Sequence, residues 1–478
     1  VSAAELVALA ALAATALPLL GSVLVARAET HDRARSLAVL VTGAAALVSL
    51  VGAGPLAHGL LVAPGWLGHV AVDGLSAVLL PATALATFAM LLAAPREAMS
   101  RREMSRVLVT LGAALAIVTT MHLLVLVVAW LGAALPGYAE ARARRGREHH
   151  VTRVYAIYHV AMSLPLVVGA GVLSLLALRA GLDPFDLAVI TAHRFEPSHR
   201  VPVALAFGLS ALARMGVAPF HSWLPVLVER GSRSMLVPLL GGSAGVVVFV
   251  RVLLPLAPEV VESPVLAGLA LFSAAYGAVL AVGQRDVRRA LAFLAVSQAG
   301  LVLVGLASAN VQTVTGAVVL RVSGTASLAG LLLVSGLVAS RAGGDLRGGG
   351  LVRALPRLTA LFALFALASV GAPGTLGFVA EDLLVQGVFH AHPVVGAVLL
   401  ATLALAGIAT VRIVVRGFFG PRAPGRPAVL AHDARPREVA AAAVLLAGLV
   451  GTGLSPSRLL GRTGAFRGPA LDARGHTR

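Results

Sequence analysis

The chain of 478 residues is 58% apolar and only 12% charged, with a mean hydropathy of +0.92. A soluble domain carries roughly a quarter charged residues, so this composition excludes a water-soluble globular fold and predicts an all-α, polytopic membrane protein. The formal charge of +17 comes from arginine, with no lysine in the chain, and the lack of cysteine excludes disulfides and cysteine-ligated iron–sulfur clusters.

One helical crossing of the hydrocarbon core needs about 20 apolar residues. Apolar segments fall at 5–26, 36–54, 73–94, 106–120, 121–138, 154–178, 201–222, 234–254, 264–284, 290–308, 311–338, 358–388, 393–417 and 438–455, which predicts about fourteen transmembrane helices. The first segment is preceded by Glu5 rather than by basic residues, so it reads as a transmembrane helix and not as a signal peptide. The stretch Gly343 to Gly350 reads as a loop, and the tail after Ser455 is polar and arginine-rich. Glycines 348–350 follow no strand and open no helix, so they predict no nucleotide site.

Arginine placement orients these segments. Twenty-seven arginines lie in loops after odd-numbered segments, and the loops that join an even-numbered segment to the next hold only Arg179, Arg194 and Arg200. The positive-inside rule then places the odd loops in the cytoplasm and both termini outside. Basic residues spread over short loops, rather than along one stripe, also argue against nucleic acid as a partner.

Two segments are interrupted, the seventh by Gly216 and Pro219 and the twelfth by Gly371, Pro373 and Gly374. Proline removes a backbone donor and clashes with the preceding turn, so each break frees carbonyls that need a polar partner. Broken helices in corresponding places predict two inverted five-helix repeats with an ion path near the midplane. The repeats span 106–255 and 256–420, between an N-terminal part, 1–105, and a C-terminal part, 421–478, holding the last helix and the tail.

Four stretches resemble the antiporter-like membrane subunits of respiratory complex I, a family shared with multisubunit cation/proton antiporters and membrane-bound hydrogenases. They are Val72-Asp-Gly-Leu-Ser76; Ala218-Pro-Phe-His-Ser-Trp-Leu-Pro225, with Arg251 closing the next helix; Gln284-Arg-Asp-Val-Arg-Arg-Ala-Leu-Ala292 followed by Ser297-Gln-Ala-Gly300; and Gly371-Ala-Pro-Gly-Thr-Leu-Gly-Phe-Val-Ala-Glu381. The second is the most specific. The acid at Glu381 is most similar to the chain-4-type (M) subunit. The resemblance implies proton translocation along buried charges: a glutamate in helix five, lysines in helices seven and eight, a lysine or histidine in helix eleven, and a terminal lysine or glutamate in helix twelve. Here Trp130 is followed by Leu131, the helix-seven lysine is replaced by Arg214, the helix-eight lysine by Ser243, and the helix-eleven run, Leu320 to Leu328, keeps only Arg321 as an ionisable group. Glu381 remains, with Asp382 beside it. Arginine stays charged in proteins and cannot relay a proton by losing one.

The ion-pathway candidates are therefore Arg214, His221, Arg251, Arg321, Glu381 and Asp382. His221 reads either as a proton shuttle or as a residue satisfying a carbonyl freed at the break. Glu381 and Asp382 read either as a proton exit or as caps of the half-helix that begins there. Arg285, Asp286 and Arg288 read as a cytoplasmic charge cluster, and His122 and His159 as helix-embedded residues, either structural or linked to water. His390 and His392 lack a third ligand, so no metal is expected, and the chain is expected to hold no cofactor and to catalyse nothing alone. The implied role is an ion-translocating subunit of a redox-coupled complex in a prokaryotic cell membrane, with other membrane subunits and the lipid bilayer as partners. Iron–sulfur, flavin or quinone chemistry would lie in those partners. A conduction-dead scaffold subunit and the membrane subunit of an inorganic-carbon uptake complex are the alternatives.

Overall fold

The computed structural model describes residues 3–53, 61–62, 69–95, 98–143, 149–231, 243–342, 350–420 and 432–457. The start of the eighth apolar segment, 234–242, most of the glycine loop and the end of the tail lie outside these residues. The helices are α1 (Ala3–Arg27), α2 (His31–Ala53), α3 (Gly74–Ala93), α4 (Arg101–Thr119), α5 (Leu123–Ala143), α6 (His149–Arg179), α7 (Pro197–Met215) and α8 (Trp223–Arg230). They continue with α9 (Ser243–Leu256), α10 (Pro264–Gly283), α11 (Val287–Ala307), α12 (Val311–Arg341), α13 (Pro356–Ser369), α14 (Leu376–Ala391), α15 (Pro393–Phe418) and α16 (Pro436–Leu454). Two-residue strands β1 (Leu61–Val62) and β2 (Ala71–Val72) form a small antiparallel ladder ahead of α3.

Among the described residues ten helices are long and apolar enough to cross a membrane, four fewer than the segments read from hydropathy. Each shortfall has a local reason. The first turn of α4 carries Arg101, Arg102 and Glu103, only the part of the eighth segment from Ser243 onward is among the described residues, and the seventh and twelfth segments are each split into two shorter helices.

Start signals match the sequence chemistry. Asp73 caps α3 by accepting from Ser76 N at 2.8 Å, Ser100 and Glu103 form a capping box on α4, and Asn310 caps α12. Packing separates core from periphery. α11 and α12 are almost wholly buried and run through the middle of the bundle, and α3 is buried along most of its length. In contrast α6, α10, α15 and α16 bury about a third or less of their spans and expose Leu175, Phe272, Val411 and Leu454. Helix faces with this many large apolar side chains turned outward suit lipid better than water.

The four long-range ion pairs among the described residues tie helix ends together. Arg106 pairs with Glu140, Arg200 with Glu259, Arg251 with Asp73 and Arg341 with Glu438. Each joins two ends that the alternating order of segments assigns to one side of the membrane. In the Arg341 clasp, the guanidinium reaches Glu438 at 2.6 Å, His432 O at 2.8 Å and Leu337 O at 3.1 Å. Glutamine keeps an oxygen acceptor but removes the charge that compensates the buried guanidinium, so Glu438→Gln should cost about 3 kcal/mol, read as a lower thermal unfolding midpoint in detergent.

Candidate functional site

The break between α7 and α8 positions the first group of residues. α7 ends at Gly216, whose φ of +76° is left-handed and suits glycine. The carbonyl of Ala213 accepts from the indole of Trp223 at 3.0 Å, and the amide of Ala218, next to Pro219, donates to Ser273 on α10 at 3.0 Å. The indole satisfies one carbonyl at the break, and the His221 side chain interacts with another, that of Pro219. His221 itself sits at the junction with its ring edge-on to Tyr276 of α10, centroids 5.1 Å apart, and its Nδ1 is buried with no hydrogen-bond partner.

Arg214 is 3% exposed. Its Nη2 donates to Trp130 O at 3.0 Å, and the guanidinium carbon lies 4.6 Å from the centroid of the Trp130 ring. No carboxylate pairs with it among the described residues, and half-buried Leu131 stands where the family has its glutamate. Trp130 is fixed in turn by donating Nε1–H to Ser163 at 3.1 Å. His159 and Tyr155 complete the box. The two rings stack with centroids 4.4 Å apart, His159 meets the Trp223 ring edge-on at 4.4 Å, and Tyr155 donates to Ala134 O at 3.1 Å.

The second group lies at the break between α13 and α14. Gly371 and Gly374 take φ values of +65° and +86°, Pro373 is exposed, and Ala372 N and Thr375 N return to Leu367 O and Ala372 O. Glu381 stands in the second turn of α14, too far along to cap it, and its side chain folds back over the break against the backbone of Gly371. It lines a small cavity with Gln298 and Ser297 of α11, Ser327 of α12 and Ser369 of α13, polar enough to hold a water. Glu381 makes no hydrogen bond or ion pair with another described residue. Asp382 is exposed on α14 and accepts from Gln386 at 2.8 Å, so the two acids do not share the cavity.

An alanine at Gly371 would adopt a strained φ and place its Cβ 2.7 Å from the Glu381 carboxyl carbon. Gly374→Ala is equally strained, yet meets only Leu454 at 3.7 Å. Both should destabilise by about 1–2 kcal/mol through backbone strain. Gly371→Ala should also lower proton flux through reconstituted vesicles severalfold, by displacing the carboxylate, while Gly374→Ala leaves flux near wild type.

The remaining candidates are dispersed. Arg251, in a π-helical turn of α9, donates to Asp73 at 2.8 and 3.2 Å, Ser76 Oγ at 2.7 Å and Val118 O at 2.6 Å. It clasps the ends of α3, α4 and α9 together. Arg321 is half-buried on α12 and does not line the Glu381 cavity. In the charge cluster, Asp286 caps α11 through Arg289 N and shares a cleft with Arg285, Arg412 and Arg416, while Arg288 lines a larger cavity between α3 and α12. Sequence reasoning missed Gln298 and Ser327, and left His159 as structural or water-linked.

Comparison with known proteins agrees with this geometry. Residues 120–406 match the model of the family described as NADH:quinone oxidoreductase/Mrp antiporter, transmembrane. The chain is 30% identical over 379 residues to NADH-quinone oxidoreductase subunit 13 of Thermus thermophilus, covering 75% of this chain and 78% of that one. It is 28% identical over 383 residues to subunit M of the Pseudomonas aeruginosa NADH-quinone oxidoreductase, covering 77% and 75%. Among solved structures, a chain of respiratory complex I from Thermus thermophilus superposes with a TM-score of 0.84 at 25% identity, covering 96% of this chain and 99% of that one. The fold is also similar to a chain of the Mrp complex from Dietzia, with a TM-score of 0.83 at 20% identity, covering 97% and 98%. The chain is a member of the NADH:quinone oxidoreductase/Mrp antiporter membrane-subunit family.

Proposed function

We propose that this chain is a proton-translocating, antiporter-like subunit of a complex-I-type membrane complex, working through a pathway without the family's lysines. The observation that carries the reading is Glu381, a carboxylate beside a helix break, in a small cavity also lined by the amide of Gln298 and the hydroxyls of Ser297, Ser327, Ser369 and Thr410. An intramembrane acid is costly and is retained where a charge must come and go. Glu381 can bind a proton from water in the cavity as a carboxylic acid and release it as the half-helices or neighbouring charges shift. Gln298, Ser297, Ser327 and Ser369 orient that water.

Both termini lie outside and the arginine-rich loops lie in the cytoplasm of a prokaryotic cell. The same-side pairing of helix ends by the four ion pairs supports that order. Residues 106–255 and 256–420 form inverted repeats, each with one broken helix. Other membrane subunits flank the chain, and iron–sulfur, flavin or quinone chemistry in its partners drives it.

Arg214 favours a second reading, a subunit that keeps the fold without conducting, because a fixed cation stacked on Trp130 replaces the lysine. Two measurements on the tagged chain separate the readings. Gentle solubilisation followed by mass spectrometry should recover redox subunits, and the complex in sealed vesicles should move protons when its quinone is reduced. Recovery of the complex with no proton movement attributable to this chain favours the scaffold. A zinc protein in place of redox subunits would redirect the reading to carbon uptake.

A further inference from the structure

The first repeat lacks the family's glutamate and lysines, yet its interior is not free of protonatable groups. His159 is 0% exposed, and neither ring nitrogen has a hydrogen-bond partner among the described residues. Leaving a buried polar group unpaired costs about 1–3 kcal/mol, and a ring retained only for packing would not need nitrogens. His159 lies in the π-helical turn Ala156–Val160 of α6, which packs against α5 and α7. Such turns occur often at functional sites. Arg214 is within electrostatic range of the His159 and Tyr155 rings, and the box links the position of the missing glutamate on α5 to the break between α7 and α8.

Resting on the proton-translocating reading, we propose that His159 is the proton-carrying group of the first repeat, with Arg214 as the fixed charge that positions it. One ring nitrogen binds a proton delivered by a water molecule, and the imidazolium releases the proton on its other nitrogen to water or a polar group towards the break. Uptake exchanges an O–H bond of a protonated water for an N–H bond and release does the reverse on the other nitrogen, with no change of oxidation state, and the ring returns as the opposite tautomer, which must exchange before the next transfer. Arg214 keeps its protons and takes no part as a donor. The charged and titratable groups around the ring are Tyr155 from its own helix and Arg214 from α7, while α8 contributes the uncharged ring of Trp223 and Trp130 of α5 packs against Arg214.

The test uses the whole complex in vesicles loaded with a pH-sensitive dye. His159→Phe keeps the stacked ring and removes the nitrogens, and His159→Gln keeps polarity without a titrating group. Both should lower flux at least about tenfold, general acid–base groups being worth 10²–10⁴ in rate, and His159→Lys should restore part of it. Arg214→Gln should change the pH dependence of the remaining flux. Full flux in His159→Phe, with the variant as stable as wild type, overturns the proposal. If wild type conducts and Glu381→Gln abolishes flux but the His159 variants do not, only His159 is wrong. If wild type moves no protons, the translocating reading fails and the proposal with it.

Discussion

Glu381→Gln lowers proton translocation at least about tenfold and leaves the fold intact, on the expectation that general acid–base groups contribute 10²–10⁴ in rate. Glutamine matches the side chain in volume and keeps a polar end beside Gln298 and Ser369, but it cannot bind and release a proton. Because Glu381 has no hydrogen-bond or ion-pair partner among the described residues, no guanidinium or amide is orphaned by the change. The unfolding midpoint should therefore stay close to wild type, which separates loss of chemistry from loss of structure. Glu381→Asp should retain partial flux, since the shorter chain still ends in a carboxylate but reaches the cavity less well. Asp382→Asn, at an exposed residue bound to Gln386 on the same helix, should change flux little. Flux unaltered in Glu381→Gln would remove the observation on which the proposed function stands.

The membrane-spanning helices were legible in the sequence because lipid imposes long apolar runs, a signal that is additive along the chain. The breaks were legible because Gly216, Pro219, Gly371, Pro373 and Gly374 act through local backbone rules. The crossing count was less secure. Hydropathy joins what a break divides, and Arg101, Arg102 and Glu103 cap and start a helix without adding to its apolar length. Partnership across the bundle was hidden. Arg251 and Asp73 are 178 residues apart in sequence, and only their shared side of the membrane hinted that they could meet. Glu381 and Asp382 are adjacent in sequence, yet successive residues on a helix point about 100° apart, so one enters the cavity and the other faces outward. His159 was passed over because a lone histidine in a helix carries no signal until its surroundings are known. Here those surroundings are four side chains drawn from α5, α6, α7 and α8.

Asp73→Ala should destabilise the protein by about 3–5 kcal/mol, the usual cost of stranding one member of a buried ion pair. Arg251 is 6% exposed. Without Asp73 its guanidinium would keep Val118 O and Ser76 Oγ, which are neutral acceptors, while its charge went uncompensated at the ends of three helices. Asp73 is also the cap of α3, so the same change removes the hydrogen bond from Ser76 N, a loss of about 1 kcal/mol within that total. Asp73→Asn separates the two effects, because asparagine caps nearly as well as aspartate but carries no charge. If the pair dominates, Asp73→Asn should fall close to Asp73→Ala; if the cap dominates, it should fall close to wild type. Arg251→Met combined with Asp73→Asn should recover part of the loss, as buried pairs replaced by uncharged groups of similar volume often cost little. The measurement is thermal unfolding in one detergent at fixed concentration, with proton flux recorded for each variant that remains folded. The clasp holds α9 against α3 and α4, and α9 packs on α7, which carries Arg214. A loosened clasp should therefore reduce flux in proportion to lost stability, whereas Glu381→Gln reduces flux with none lost. That contrast distinguishes a residue that shapes the path from one that carries the proton.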